Sequence, residues 1–212
     1  MTTRLELRTA VRRRLEDTGG SPLWDDAALN DFLAEAMRRY GTHVPKELST
    51  TVNLSAGATS AVVTPALAAG QVVRVFDGNG QPVPRQQAIE PDGVALAGLA
   101  TAQSWRWWGA SLVLAQAAAT TGTWQIDYLG GRTLAGDDVT AVDVVSGDED
   151  IVVLLASATA LRRRAIEDGK RGLGRGASST TIASAADALE NQAERLILAR
   201  RRKARGSWTA LG

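Results

Sequence analysis

The chain has 212 residues, room for one large domain or for a core with an inserted module, and its 44% apolar content is too high for disorder. It has no cysteine, which excludes disulfides and thiolate metal ligands. No apolar run reaches the length of a membrane span, and the opening MTTRLELRTAVRRRLED lacks the apolar stretch of a secretory signal.

The net charge is only +1, which argues against a dedicated DNA coat, although 21 arginines stand against three lysines. The arginines cluster at Arg12 to Arg14, Arg38-Arg39, Arg162 to Arg164, and Arg200 to Lys203 with Arg205. Guanidinium forks suit interfaces and carboxylate or phosphate contacts. A GC-rich genome produces the same excess of Arg, Ala and Gly, so composition alone does not choose between the two causes.

In chain order the sequence predicts helices, then strands, then helices. Thr3 and Glu6 have capping-box spacing, and Leu7, Val11 and Leu15, with Ala10 beside them, form the buried stripe of a first helix that Gly19-Gly20 ends, leaving Arg12 and Arg13 outward. Asp25 caps a second helix, with Trp24 and Leu29 at staple positions and Leu29, Phe32, Leu33, Ala36, Met37 and Tyr40 repeating at three and four. It should end before Pro45. From about Ser49 to Val144 the period becomes two. Stretches 51–54 and 61–64 flank Gly57 as an expected hairpin, and 72–76 leads into the tight turn Asp77-Gly78-Asn79-Gly80. The return through Val83 is an edge strand, because Pro82 and Pro84 cannot donate to a ladder. Stretches 105–108, 112–114 and 124–129 complete a small sandwich or barrel. Helix resumes near Asp148 on a stripe of Ile151, Leu154, Leu155, Ala158, Leu161 and Ala165, with acids at its start and Arg162 to Arg164 and Lys170 towards its end. GKRGLGRGASS interrupts it, and a last helix over about 180–202 turns Ile182, Ala186, Leu189, Ala193, Leu196 and Ile197 inward.

Catalytic constellations are missing from this pattern. His43 is the sole histidine and lies near a helix end, so a nucleophile, base and orienter cannot be assembled around it in the usual way. Asp137-Asp138 and Asp148 to Asp150 lack EF-hand spacing and read as a solvated loop and a helix cap. The glycines from Gly169 to Gly176 follow a helix, and Lys170 precedes Arg171 where a phosphate loop needs Ser or Thr. No catalytic residue, metal ligand or cofactor is therefore nominated.

SWRWWGASLVLAQ gathers three of the six tryptophans. Alternation puts Trp105 and Trp107 on one face, expected to form the β-module core with Leu112, Leu114 and Trp124, and Arg106 and Trp108 on the other, where they can stack. A base- or sugar-stacking platform would normally add a basic groove, and the module has few basic residues.

The succession of these segments resembles the bacteriophage head-to-tail adaptors, also called connector or tail tubular A proteins. The segments that carry it are LRTAVRRRLEDTG, WDDAALNDFLAEAMRRYGTHVP, VVRVFDGNGQPV, the pair WWGASLVLAQ and GTWQIDYLGG, LAGDDVTAV, and DIVVLLASATALRRRAIEDG. Where that family has a Pro-rich turn after the second hairpin strand, this chain has AQAAATTG. The resemblance implies an α+β fold: a helical bundle from 1–48 and 147–204, an inserted antiparallel β-module at 49–146, and a flexible tail at 205–212. It further implies a dodecameric ring in the virion, assembled in the host cytoplasm, that joins the portal to a downstream tail or nozzle protein and continues the DNA channel with transient, non-specific DNA contact and no membrane. Arg12, Arg13, Arg38, Arg39, Arg162 and Arg163 are expected at subunit interfaces, because the arginine-rich faces exceed the acidic partners expected nearby in the chain. Arg200, Arg201, Arg202, Lys203, Arg205, Trp208 and Leu211 are expected to bind the portal. Two other readings stay open: a nucleic-acid-binding protein that uses the arginine clusters, and a carbohydrate- or receptor-binding β-module on a helical stalk.

Overall fold

The computed structural model describes residues 2–86, 103–170 and 176–206, with side chains described over 2–86, 103–170 and 179–200. The fold is α+β, with helices α1 (Arg4–Arg14), α2 (Asp26–His43), α3 (Glu149–Lys170) and α4 (Gly176–Gly206) and two antiparallel sheets among the described residues. The chain divides into a helical unit, Met1–Pro45 with Gly131–Gly212, and a β unit, Lys46–Gly130.

The helical unit is organised around α3. Its first half carries an unbroken apolar run, and Ile151 to Ala158 are buried on every side. Such a helix must be surrounded, and α1, α2 and α4 all pack against it. Thr3 and Glu6 form the expected capping box on α1, and the Asp25 carboxylate accepts from the Ala28 amide at 2.7 Å to start α2. The predicted stripe of α2 is buried in full. Helix α1 stops at Arg14, earlier than the Gly19-Gly20 signal, and Glu16 takes a left-handed φ of 55°. There the Asp17 carboxylate accepts from Arg12 and from the Leu23 amide, which turns the chain without a glycine. Helix α4 is longer than the expected 180–202. Ile197 takes the inward position and Leu196, expected beside it, is 40% exposed.

The β unit is a sandwich. Strands β1 (Lys46–Leu54), β2 (Ser60–Val62), β3 (Val72–Phe76), β4 (Pro82–Val83), β5 (Trp105–Trp108), β6 (Ser111–Leu114) and β7 (Gly122–Gly130) form one sheet of order β1-β7-β3-β4 and another of order β2-β6-β5. Residues from both sheets, among them Leu54, Val75, Leu112, Trp124 and Ile126, share one core. The β3–β4 hairpin turns as expected through Asp77 to Gly80, where Gly80 has φ +75°, and β4 lies at the sheet edge. The expected hairpin across Gly57 does not form. β1 pairs with β7 along its whole length and β2 pairs with β6, so the turn at Gly57 passes the chain from one sheet to the other.

The inserted module is also shorter than the expected 49–146. Residues 131–146 belong to the helical unit: Val142 N–H donates to the Thr2 carbonyl, Ala141 bridges Thr3, and Val142 is buried in the helical core. Their alternation comes from an irregular segment that buries Val142 and half-buries Leu134 and Val144, with no strand pairing beyond that single bridge.

Candidate functional site

Among the described residues the arginine clusters are mostly neutralised within the chain, which corrects the expectation of unmatched arginine faces. Arg12 reaches Asp17 at 2.9 Å and Asp26 at 2.8 Å. Arg38 pairs with Glu35 one turn away at 2.5 Å, and Arg39 with Glu190 on α4. Arg162 meets Asp187 at 2.9 Å and also Glu190, and hydrogen bonding to Asp187 raises its already high pKa. Arg163 pairs with Glu167 at 3.3 Å and lies 5.9 Å from the Phe32 ring centroid. Of the six expected interface arginines only Arg13 lacks a partner among the described residues, and it is exposed.

Asp138, expected merely to solvate a loop, is the acceptor that ties that loop to α1. Arg4 donates to it at 2.7 Å and Arg8 at 2.9 Å, and these donors, Arg8 foremost, hold its carboxyl below the ordinary range. Asp137 folds back on its own loop. The amide and hydroxyl of Thr140 and the amide of Val139 donate to it, and its pKa is lowered by those bonds in that order of kind, the Thr140 amide first.

The end of α2 carries a second polar centre. The buried Tyr40 hydroxyl donates to Asp148 Oδ2 at 2.6 Å, and Arg200 pairs with the same oxygen. Burial raises the Tyr40 pKa. Arg132 covers the Tyr40 ring at 5.6 Å and donates to the carbonyls of Val44 and Asp143 at 2.6 and 3.0 Å and to Asp143 Oδ1 at 2.8 Å. Gly41 makes room for this, because a Cβ there would stand 3.0 Å from the Arg132 nitrogen. Sequence reasoning had Asp148 only as a helix cap and did not nominate Arg132. Arg200, expected to bind the portal, is thus engaged inside the subunit. The side chains of Arg201, Arg202, Lys203 and Arg205, and Trp208 and Leu211 altogether, lie outside the described residues, as do 171–175 of the glycine stretch.

In the β unit Trp105, Trp107 and Trp124 are buried in the shared core as expected. The Trp105 indole donates to the Val83 carbonyl at 3.0 Å and that of Trp107 to the Leu67 carbonyl at 2.9 Å, so each ring is both packed and polar-satisfied. Arg106 and Trp108, which share a face and could stack, form no cation–π pair among the described residues, whereas the Arg85 guanidinium lies 5.2 Å from the Trp105 centroid. Trp108 is 73% exposed.

Among the described residues no group of three or more His, Asp or Glu side chains is arranged to hold a metal ion. A shallow depression of about 350 Å³ is lined by Phe76, Asp77, Gly78, Gly80, Thr123 and Gln125. Its one carboxylate, Asp77, accepts from the Asn79 and Gln81 amides and serves the turn. No helix among the described residues is long and apolar enough to cross a membrane. Neither the protein-family models nor the curated proteins compared with this sequence match it.

Proposed function

We propose that the chain is a structural head-to-tail adaptor of a bacteriophage, forming a ring that joins the portal to the tail and continues the DNA channel. The observation that carries this reading is the chain order. Helices from both ends of the chain close into one unit around α3, and a β-sandwich is inserted between α2 and α3. This is the arrangement that the resemblance implies. A rigid bundle with its arginines paired internally suits a scaffold that must hold shape while other components dock on it.

The test is to mix the full chain with the portal ring from the same genome and weigh the product by native mass spectrometry. A ring of this chain bound to the portal ring supports the adaptor reading. One or two copies per portal, or no complex, would overturn it. Turnover of a nucleotide, ester or nucleic-acid substrate, abolished by a single substitution, would replace it with an enzyme.

A further inference from the structure

The outer face of the β2-β6-β5 sheet is unusual for a sandwich surface. Cross-strand register puts Val62, Ser111 and Trp108 in one row and Ser60, Val113 and Arg106 in the next, all on the side away from the core. Trp108 is 73% and Val62 74% exposed, and they flank Ser111 of the middle strand in the same row. Arg106 is the only charge in these three strands and has no partner among the described residues. Exposed apolar side chains gathered on one face mark interaction surfaces, and Trp and Arg are among the residue types that dominate them.

A complement to this face exists in the same chain. Val139, 84% exposed, is the most exposed of the chain's large apolar side chains among the described residues. Asp137, two residues before it, is exposed and forms no ion pair among the described residues, whereas the neighbouring Asp138 is neutralised by Arg4 and Arg8. Arg106 and Trp108 are likewise two apart, about 7 Å along a strand, a separation that a two-residue stretch of loop can match.

We infer that this sheet face docks a second copy of this chain head to tail, Trp108 and Val62 receiving the neighbour's Val139 and Arg106 receiving its Asp137. The two surfaces differ, so the contact is heterologous and repeats from copy to copy, closing into a ring where the rotation allows. Asp137 suits the pairing because its loop bonds keep it ionised below the ordinary carboxyl range. The inference rests on the ring-forming part of the adaptor reading. Its test contains no portal, so portal docking and this contact can fail separately.

The absence of cysteine makes cross-linking clean. Two chains are prepared, one with Val62→Cys and one with Val139→Cys, both at exposed positions that leave the cores intact. They are mixed, oxidised and separated without reductant. Mixed dimers should exceed the share expected from random pairing. Adding Arg106→Glu or Trp108→Ser to the Val62→Cys chain should lower their yield about ten-fold at limiting concentration, the scale of losing a hot-spot side chain. A chain carrying both cysteines should give a ladder of covalent oligomers. Random pairing, an excess of Val62→Cys homodimers, a disulfide closed within one chain, or indifference to both added substitutions would each overturn the contact. Quenching of Trp108 fluorescence by an acidic glycan, with no excess of mixed dimers, would overturn it in favour of carbohydrate.

Discussion

Tyr40→Phe isolates the polar centre at the end of α2. The substitution keeps the ring in the core and deletes one hydroxyl, which donates at 2.6 Å to a buried Asp148 oxygen that Arg200 also holds. A hydrogen bond to a charged group contributes about 1.5–3 kcal/mol net. Arg200 still neutralises the carboxylate and no cavity larger than an oxygen opens, so the expected loss is about 2 kcal/mol. At about 2–4 °C per kcal/mol for a chain of this size, the melt should fall by about 4–8 °C. Urea unfolding followed by circular dichroism at 222 nm should show a lower midpoint with an unchanged slope, since the exposed area is the same. The alkaline arm is a second reading. Burial raises the folded pKa of Tyr40, so the native state binds its proton more tightly than the unfolded chain. That contribution is complete below the ordinary tyrosine value of about 10 and is lost as pH rises from there through the folded value. The Phe variant has nothing to titrate and should lack this part of the alkaline loss. An unchanged urea midpoint together with an unchanged alkaline arm would refute the buried bond.

Ser157 is fully buried in α3 and its hydroxyl has no hydrogen-bond partner among the described residues, so Ser157→Ala should stabilise the protein by about 1 kcal/mol, read as a higher urea midpoint. Gly41→Ala would ordinarily gain about 1 kcal/mol of helix propensity. Here the new Cβ meets the Arg132 backbone at 3.0 Å, and that backbone is pinned by the Arg132 side-chain bonds, so the melting temperature should fall instead. Asp138 is held below its ordinary pKa by Arg8 and Arg4, so its contribution is present above about pH 4 and lost as pH falls through the lower folded value. Asp138→Asn should therefore melt lower at neutral pH and show a shallower decline in an acid titration followed by circular dichroism.

Local physics made much of this fold legible. The stripe of α2, its Asp25 cap and the box at Thr3 and Glu6 each act within about a turn, and all appear where spacing puts them. The same holds for the β3–β4 turn and for the alternation that buries Trp105 and Trp107 while exposing Trp108. Pairing partners not joined by a tight turn were not legible, because a period of two gives the face of a strand and not its neighbour. Thus β1 finds β7 across the whole module in place of the nearby β2. The candidate site was less readable still. Tyr40 and Asp148 lie 108 residues apart, and Arg200 lies 52 beyond Asp148, so no window of sequence shows them together.

The paired arginines also bear on the choice between scaffold and nucleic-acid binder. A phosphate that recruited Arg12, Arg39 or Arg162 would first have to displace Asp17 and Asp26, or Glu190, or Glu190 and Asp187. That exchange returns little, because one anion replaces another and the helix contacts made by the carboxylates are lost. Arg13, Arg14, Arg74, Arg85, Arg106 and Arg195 are exposed and without acidic partners among the described residues, so these charges are available without that loss. Arg4 and Arg8 join α1 to the 131–146 segment, and Arg39 and Arg162 join α2 and α3 to α4. Arg12, Arg39 and Arg162, drawn from three of the basic clusters, thus hold carboxylates of other helices, a use of arginine that supports the scaffold proposal.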